Sequence, residues 1–219
     1  MRTLRLAHRG DWRVAPENTL AAFRAALERP ACDGLEFDVR VSADGVPVVC
    51  HDDSLERVQG RPERVDSLTA EALSRLDVPT LVEVLEVAGR RPFLDIELKV
   101  AIGHVLVEAL AAGRGPELHN AVVSSFEPAA LDGVARRAPA WRRWLNVVVL
   151  DRAAIATATE LGCHGVAAEW HSVDADAVAL ARSARLDVAA WTVRRRTTFH
   201  RLADLGLDAV CVEAAALDA

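Results

Sequence analysis

Two histidines and a set of carboxylates stand in this sequence where proton transfer and metal chemistry would need them. His8 opens the string His8-Arg9-Gly10 at the end of a short apolar run, and His51 opens His51-Asp52 at the end of another. Imidazole titrates near neutral pH, so two of them could take a proton from a nucleophile and give one to a departing alkoxide. Glu36 and Asp38 are two apart within Leu35 to Val39, and Asp95, Glu97 and Lys99 repeat the spacing after Phe93. Side chains two apart on a strand share a face. The opposite faces then carry Leu35, Phe37 and Val39 on one strand and Leu94, Ile96 and Leu98 on the other. If the apolar faces pack on helices, both strands aim their acids at one interior place.

Carboxylates crowded into a low-dielectric interior require a cation, protonation or basic partners. A divalent metal is the simplest compensation. Glu36, Asp38 and Glu97 form an oxygen-only set, which suits Mg²⁺ or Ca²⁺, with Mn²⁺ also admissible, better than zinc. Such an ion would act as a Lewis acid on a phosphoryl oxygen. Arg9 and Lys99 could hold the other phosphate oxygens, one through its fork and one as a point charge. The structural alternative is that the acids sit in salt bridges, Glu36 with Arg40 and Glu97 with Lys99. His104, His119, His164, His171 and His200 lie away from these positions and are read as structural.

Positioning such residues calls for strands with a common carboxyl-terminal end. Eight short apolar runs qualify: Leu4 to Ala7, Gly34 to Val39, Phe93 to Leu98, Ala121 to Ser124, Trp144 to Val149, Gly165 to Ala168, Val188 to Thr192 and Ala209 to Val212. Helix-like segments alternate with them, at Thr19 to Glu28, Thr80 to Ala88, Ile102 to Ala112, Pro128 to Arg137, Ala153 to Leu161, Ala175 to Ala184 and Thr197 to Leu205. This alternation predicts an α/β fold, a (β/α)₈ TIM barrel, whose sites lie at the carboxyl ends of the strands. A doubly wound open sheet competes with it, although no GxGxxG loop is present. After the second strand, Ser42-Ala43-Asp44-Gly45 predicts a hairpin back through Val46 to Cys50. Pro62 to Pro79 then reads as a small helical excursion.

The 219 residues suit a single domain, residues 1–219, and the 51% hydrophobic content supplies a large core. A net charge of -6 disfavours nucleic acid as a partner. Four cysteines without a CxxC pair suggest buried free thiols. No apolar run approaches the ~20 residues that span a bilayer, and Met1 to Leu6 lacks a secretory pattern. A cytoplasmic protein with no stable membrane insertion is expected.

The string HRGDWRVAPENTLAAF, His8 to Phe23, resembles the opening motif of the glycerophosphodiester phosphodiesterase family. LEFDVRVSADGVPVVCHDDSLERV from Leu35, PTLVEVLE and FLDIELK between Pro79 and Lys99, VSSFEPAAL from Val123, and DVAAWTV from Asp187 match further family blocks in order. The resemblance implies a barrel hydrolase that uses a divalent cation to cleave glycerophosphodiesters into glycerol phosphate and an alcohol. It implies Glu36, Asp38 and Glu97 as metal ligands, His8 and His51 as the acid-base pair, and Arg9 and Lys99 as phosphate contacts. Trp191 would form a wall against the glycerol moiety, or merely fill the rim. Asn18 is expected to cap the first helix. Three departures stand out. Arg194-Arg195-Arg196 follows the DVAAWTV block where the family often has asparagine, which places a basic cluster near the mouth, suited to an anionic alcohol or to a solvated helix start. AVCVEAAAL lacks the usual Asp or Asn followed by Pro, which weakens the expected closure of the barrel. The segment from Ser67 to Pro79 is short, which opens the pocket. Two rivals remain from sequence: a phospholipase or sphingomyelinase D-like phosphodiesterase, and a catalytically silent barrel binding phosphorylated metabolites.

Overall fold

The computed structural model describes residues 2–101 and 104–218. Its strands are β1 (Leu4–His8), β2 (Gly34–Val41), β3 (Pro47–Val49), β4 (Phe93–Leu98), β5 (Ala121–Ser125), β6 (Arg143–Val147), β7 (Gly165–Glu169), β8 (Asp187–Val193) and β9 (Ala209–Val212). All but β3 are parallel neighbours, and pairing of β1 with both β2 and β9 closes them into an eight-stranded barrel. Around it lie α1 (Leu20–Leu27), α4 (Leu81–Ala88), α5 (His104–Arg114), α6 (Pro128–Arg137), α7 (Arg152–Glu160), α8 (Ala175–Ser183) and α9 (Arg196–Asp204). The expected TIM barrel is therefore the fold. No described helix is long and apolar enough to cross a membrane.

Strand parity sorts the side chains into two cores. Leu35, Phe37, Val39, Leu94, Ile96 and Leu98 face outward and are buried against helix residues such as Phe23, Leu81 and Leu106. Leu6, Val122, Trp144, Ala167, Ala189, Ala209 and Cys211 fill the barrel interior. The interior is apolar below and charged above, because most inward rows end in a polar residue at the carboxyl end, such as His8, Asp38, Glu97, Ser124 and Asn146. In register, β2 and β4 set Glu36 opposite Asp95 and Asp38 opposite Glu97.

The Asp44-Gly45 turn makes the expected hairpin, with β3 antiparallel to β2 and Gly45 at a φ of 81° that glycine tolerates. Beyond it come α2 (Glu56–Gln59), a 3-10 turn at Val65–Ser67 and α3 (Ala70–Ser74). This excursion has its own small core of Val48, Cys50, Leu55, Val65, Leu73 and Val78. Such packing gives the segment carrying His51 a fixed seat.

Several boundaries differ from the sequence expectation. The fifth run, Trp144 to Val149, ends as a strand at Val147, and Val148 and Val149 turn outward at 62% and 56% exposure, since an apolar run need not stop where hydrogen bonding does. Of the Ile102 to Ala112 helix, Ile102 lies outside the described residues; α5 runs from His104 to Arg114. The predicted weak closure is overturned: Leu4, Arg5, Leu6 and Ala7 pair with Ala209, Val210, Cys211 and Val212. Parallel pairing is made by main-chain groups, so an Asp-Pro sequence is not needed for it. Asn18 does not cap α1; Thr19 does, accepting a hydrogen bond from the Ala22 N–H at 3.2 Å.

Gly34, at the start of β2, tests how tightly this frame is built. A Cβ there would lie 1.9 Å from the Phe93 carbonyl oxygen on the neighbouring strand, and main chain cannot move aside. Gly34→Ala is expected to destabilise the protein by about 3 kcal/mol. Chemical denaturation checks this, and a wild-type midpoint would contradict it.

Candidate active site

At the carboxyl ends of the strands a cavity of about 190 Å³ is lined by His8, Arg9, Glu36, His51, Asp95, Glu97, Lys99, Phe126, Asn146, Trp191, Thr192 and Cys211. Seven of the eight residues singled out from sequence thus meet in one hollow. The eighth, Asp38, is fully buried and reaches the others through ion pairs, to Arg9 Nε at 3.0 Å and Lys99 Nζ at 3.0 Å. A larger hollow of about 510 Å³ beside Arg40, Arg64 and His104 lacks a buried charged cluster, and Arg64 there is spent on exposed Asp53 and Asp66.

One ligand oxygen each from Glu36, Asp38 and Glu97 lies within 4.8 Å of the others, and all three residues are buried. Together with Asp95 they set four carboxylates against two cations, Arg9 and Lys99. The surplus negative charge shows in the titration behaviour. Burial, and then the nearby Asp38, push Glu36 well above the ordinary carboxylate range. Burial likewise raises Asp95 to about 7, although the Ser124 hydroxyl donates to it at 2.6 Å. Asp38 is buried too, but Arg9 and Lys99 outweigh the burial and hold it at about 2. Glu36 Oε2 has no hydrogen-bond partner. An orphaned buried oxygen within a convergent all-oxygen set fits a hard divalent cation. Of the alternative salt bridges, Glu97 with Lys99 is formed. Glu36 with Arg40 is not, for Arg40 Nε instead donates to the His51 carbonyl at 2.9 Å.

Each imidazole is held from behind. His51 Nδ1 lies 2.6 Å from Asp52 Oδ1, and Arg57 Nε donates to Asp52 Oδ2 at 2.6 Å. Burial lowers the His51 pKa, and Arg9 and Lys99 lower it further against the opposing pull of Asp38 and Asp52. His8 Nδ1 lies 2.6 Å from Glu213 Oε1, and its Nε2 faces Glu36 Oε2 at 3.8 Å. Burial disfavours ionisation of Glu213, but His8 and Arg194 prevail and bring its pKa to about 2. Glu213 sits just beyond β9, at the segment where the sequence suggested only a departure from pattern.

The loop after β1 explains the residues between His8 and α1. Arg9 and Asn18 adopt positive φ, and the Asn18 N–H donates to the Arg9 carbonyl at 2.9 Å. Gly10, at a φ of 86°, lets the α1 backbone come close, because a Cβ there would lie 2.7 Å from Ala22. The Asn18 amide donates to Asp38 Oδ2 at 2.8 Å. Glu17 accepts from Arg9 at 3.0 Å and from Arg57 at 2.7 Å. An ionic chain therefore runs from Asp38 through Arg9, Glu17, Arg57 and Asp52 to His51.

At the apolar end of the cavity, Trp191 and Phe126 meet edge to face at 5.4 Å, and the Trp191 indole N–H donates to the Ala167 carbonyl at 2.9 Å. Phe126 and Asn146 were not singled out from sequence. Phe126 lies within the VSSFEPAAL block that resembles the family, while nothing in the local pattern of Asn146 distinguishes it; barrel closure brings β5 and β6 to the hollow. All four cysteines are free, three of them buried, and Cys211 forms part of the cavity floor.

A profile of the Glycerophosphoryl diester phosphodiesterase family matches residues 8–217. A glycerophosphodiester phosphodiesterase of Caldanaerobacter subterraneus is 30% identical over 237 residues, covering 97% of this chain and 95% of that protein. Among solved structures, a phosphodiesterase from Oleispira antarctica in complex with the product sn-glycerol-3-phosphate superposes with a TM-score of 0.86 at 28% identity, covering 96% of this chain and 93% of the other. A glycerophosphodiester phosphodiesterase from Agrobacterium tumefaciens superposes with a TM-score of 0.80 at 25% identity over 98% of each chain.

Cation binding to the acidic cluster is measurable without turnover. With Mg²⁺, Ca²⁺ or Mn²⁺ at about 100 times its Kd, chelator-treated protein is expected to gain about 2.7 kcal/mol of stability, read as a rise in Tm. Glu36→Gln is expected to abolish that rise. An unchanged Tm with every ion, or a full rise in the variant, would remove these carboxylates from consideration.

Proposed function

The chain belongs to the glycerophosphoryl diester phosphodiesterase family, and from that premise we propose that it hydrolyses glycerophosphodiesters to glycerol 3-phosphate and an alcohol, with His8 and His51 as its acid-base pair. The observation that carries this reading is the meeting of two buttressed imidazoles, a buried carboxylate cluster and two cations in one hollow at the carboxyl end of the barrel. The product-bound relative from Oleispira antarctica supports glycerol 3-phosphate as the species released.

Glu36, Asp38 and Glu97 would hold a divalent cation, Mg²⁺, Ca²⁺ or Mn²⁺, and the ion would supply Lewis-acid neutralisation of the phosphoryl group. Arg9 and Lys99 bind the non-bridging oxygens and stabilise the charge that grows on them in the transition state. One imidazole takes a proton from water as the water oxygen bonds to phosphorus. The other gives its proton to the bridging oxygen as the bond from phosphorus to the alcohol breaks. Water and diester are consumed, and glycerol 3-phosphate and neutral alcohol leave with all protons accounted for. A cavity of about 190 Å³ is small beside the ~300 Å³ at which pockets for drug-sized ligands begin. It therefore takes the phosphate and glycerol, with Phe126 and Trp191 along the glycerol carbons, and leaves the alcohol toward the rim.

Chelator-stripped protein reloaded with each cation and given glycerophosphocholine or glycerophosphoethanolamine should release glycerol 3-phosphate. His8→Ala and His51→Ala should each lower kcat by about 10²- to 10⁴-fold, while the thermal response to cation persists. Near-wild-type turnover in either variant would refute the assigned pair. Turnover of lipid vesicles in place of the soluble diesters would favour a phospholipase.

A further inference from the structure

The two histidines are supported in the same way but from very different distances along the chain. His51 leans on Asp52, its own neighbour. His8 leans on Glu213, 205 positions away, across the seam where β9 closes against β1. We propose that Glu213, clamped by Arg194, is the positioning residue that fixes the orientation and working nitrogen of His8. The proposal rests on the phosphodiesterase reading for its kinetic consequences, though not for its structural ones.

Glu213 is fixed on three sides. Its backbone N–H donates to the Val193 carbonyl at 2.8 Å, its Oε1 lies 2.6 Å from His8 Nδ1, and its Oε2 accepts from Arg194 Nε at 2.8 Å. The carboxylate is 7% exposed, and both oxygens are engaged. An ionised carboxylate can only accept hydrogen bonds, so the partner nitrogen of His8 must carry the proton. With Nδ1 committed in this way, Nε2 is the nitrogen presented to the hollow, where it faces Glu36. A ring free to turn about its χ angles would spend much of its time with neither nitrogen so aligned.

Arg194 has a role that its sequence neighbourhood conceals. It begins a run of three arginines at the mouth, which from sequence alone could serve an anionic alcohol. Its Nε is committed to Glu213, and the outer part of its side chain reaches solvent, which leaves the whole 72% exposed. Two of the three departures from the family's pattern, at 194 and at the end of the last strand, are therefore in contact. Arg57, Asp52 and His51 form the same sequence of guanidinium, carboxylate and imidazole.

The test combines kinetics with an NMR signature. Glu213→Ala should lower kcat for glycerophosphocholine about 100-fold, within the range general acid-base catalysis supplies, while KM changes less than about threefold. Glu213→Gln, whose amide oxygen can still accept from Nδ1–H, should recover at least about tenfold of that loss. Arg194→Ala, an exposed change, should cost kcat a few-fold. In a His8→Ala background, Glu213→Ala should add less than about twofold, because the two act as one unit. Long-range ¹H–¹⁵N correlations, assigned by their loss in His8→Ala, should show Nδ1 protonated in the wild type and lose that pattern in Glu213→Ala. Thermal melts identify any variant that fails to fold, in which case Glu213→Gln and Arg194→Ala carry the test. Wild-type kcat in Glu213→Ala, multiplicative losses in the double variant, or an unchanged His8 pattern would overturn the proposal. If the wild type turns over no glycerophosphodiester, the phosphodiesterase reading falls, and the NMR comparison alone decides the link between Glu213 and His8.

Discussion

Placing more negative than positive charge inside a barrel is the constraint on which the rest of this structure depends. Desolvating a carboxylate is expensive, and the penalty grows when a second carboxylate stands on the next strand. Glu36, Asp38, Asp95 and Glu97 incur it together, with Arg9 and Lys99 as partial compensation. Much of the surrounding architecture serves to keep these groups from relaxing apart. The six-residue register between β2 and β4 holds the acids opposite one another. Asn18 and Arg9 in the first loop occupy Asp38 from one side, and Lys99 occupies it from the other. Shifted ionisation equilibria concentrate at functional sites for this reason, and a divalent cation, if bound there, would offset the surplus negative charge.

A second feature is the use of ionic chains to stiffen loops. Asp38, Arg9, Glu17, Arg57, Asp52 and His51 connect the barrel floor of the site, the loop after β1 and the excursion after β3. Single exposed ion pairs contribute little to stability. Here each charge has two partners and most are half-buried, so the chain acts as a brace that sets the spacing between elements. The small core around Leu55, Leu73 and Val78 gives the brace a solid footing on the excursion side.

What was legible in the sequence follows from how local the determining physics is. Parity along β2 and β4 revealed which way Glu36, Asp38 and Glu97 point, because alternation needs only two-residue spacing. The Asp44-Gly45 turn revealed the hairpin that delivers His51, because its geometry is set by four residues. Position at strand ends marks Arg9, Lys99, His8 and His51, and the family resemblance implies the same roles for them. Contacts between distant segments left no such mark. Glu213 looked like an irregularity of the last strand, and Asn18 like a helix cap, since a cap and a buried amide donor are the same residue in a linear string. Val148 and Val149 extended an apolar run past the point where the strand stops. Arg40, the alternative partner for Glu36, instead secures the main chain at His51.

The seam between β1 and β9 has a consequence for how competence is acquired. The imidazole at position 8 and its buttress at position 213 come from staves that meet only when the ring of strands is completed. Pairing across so great a sequence separation is entropically late in assembly. On the proposed roles of His8 and Glu213, partly assembled forms would possess most of the staves, and even the acidic cluster, and still lack an oriented proton carrier. Hydrolytic power would then switch on as a final, cooperative step, making the enzyme its own monitor of completed folding.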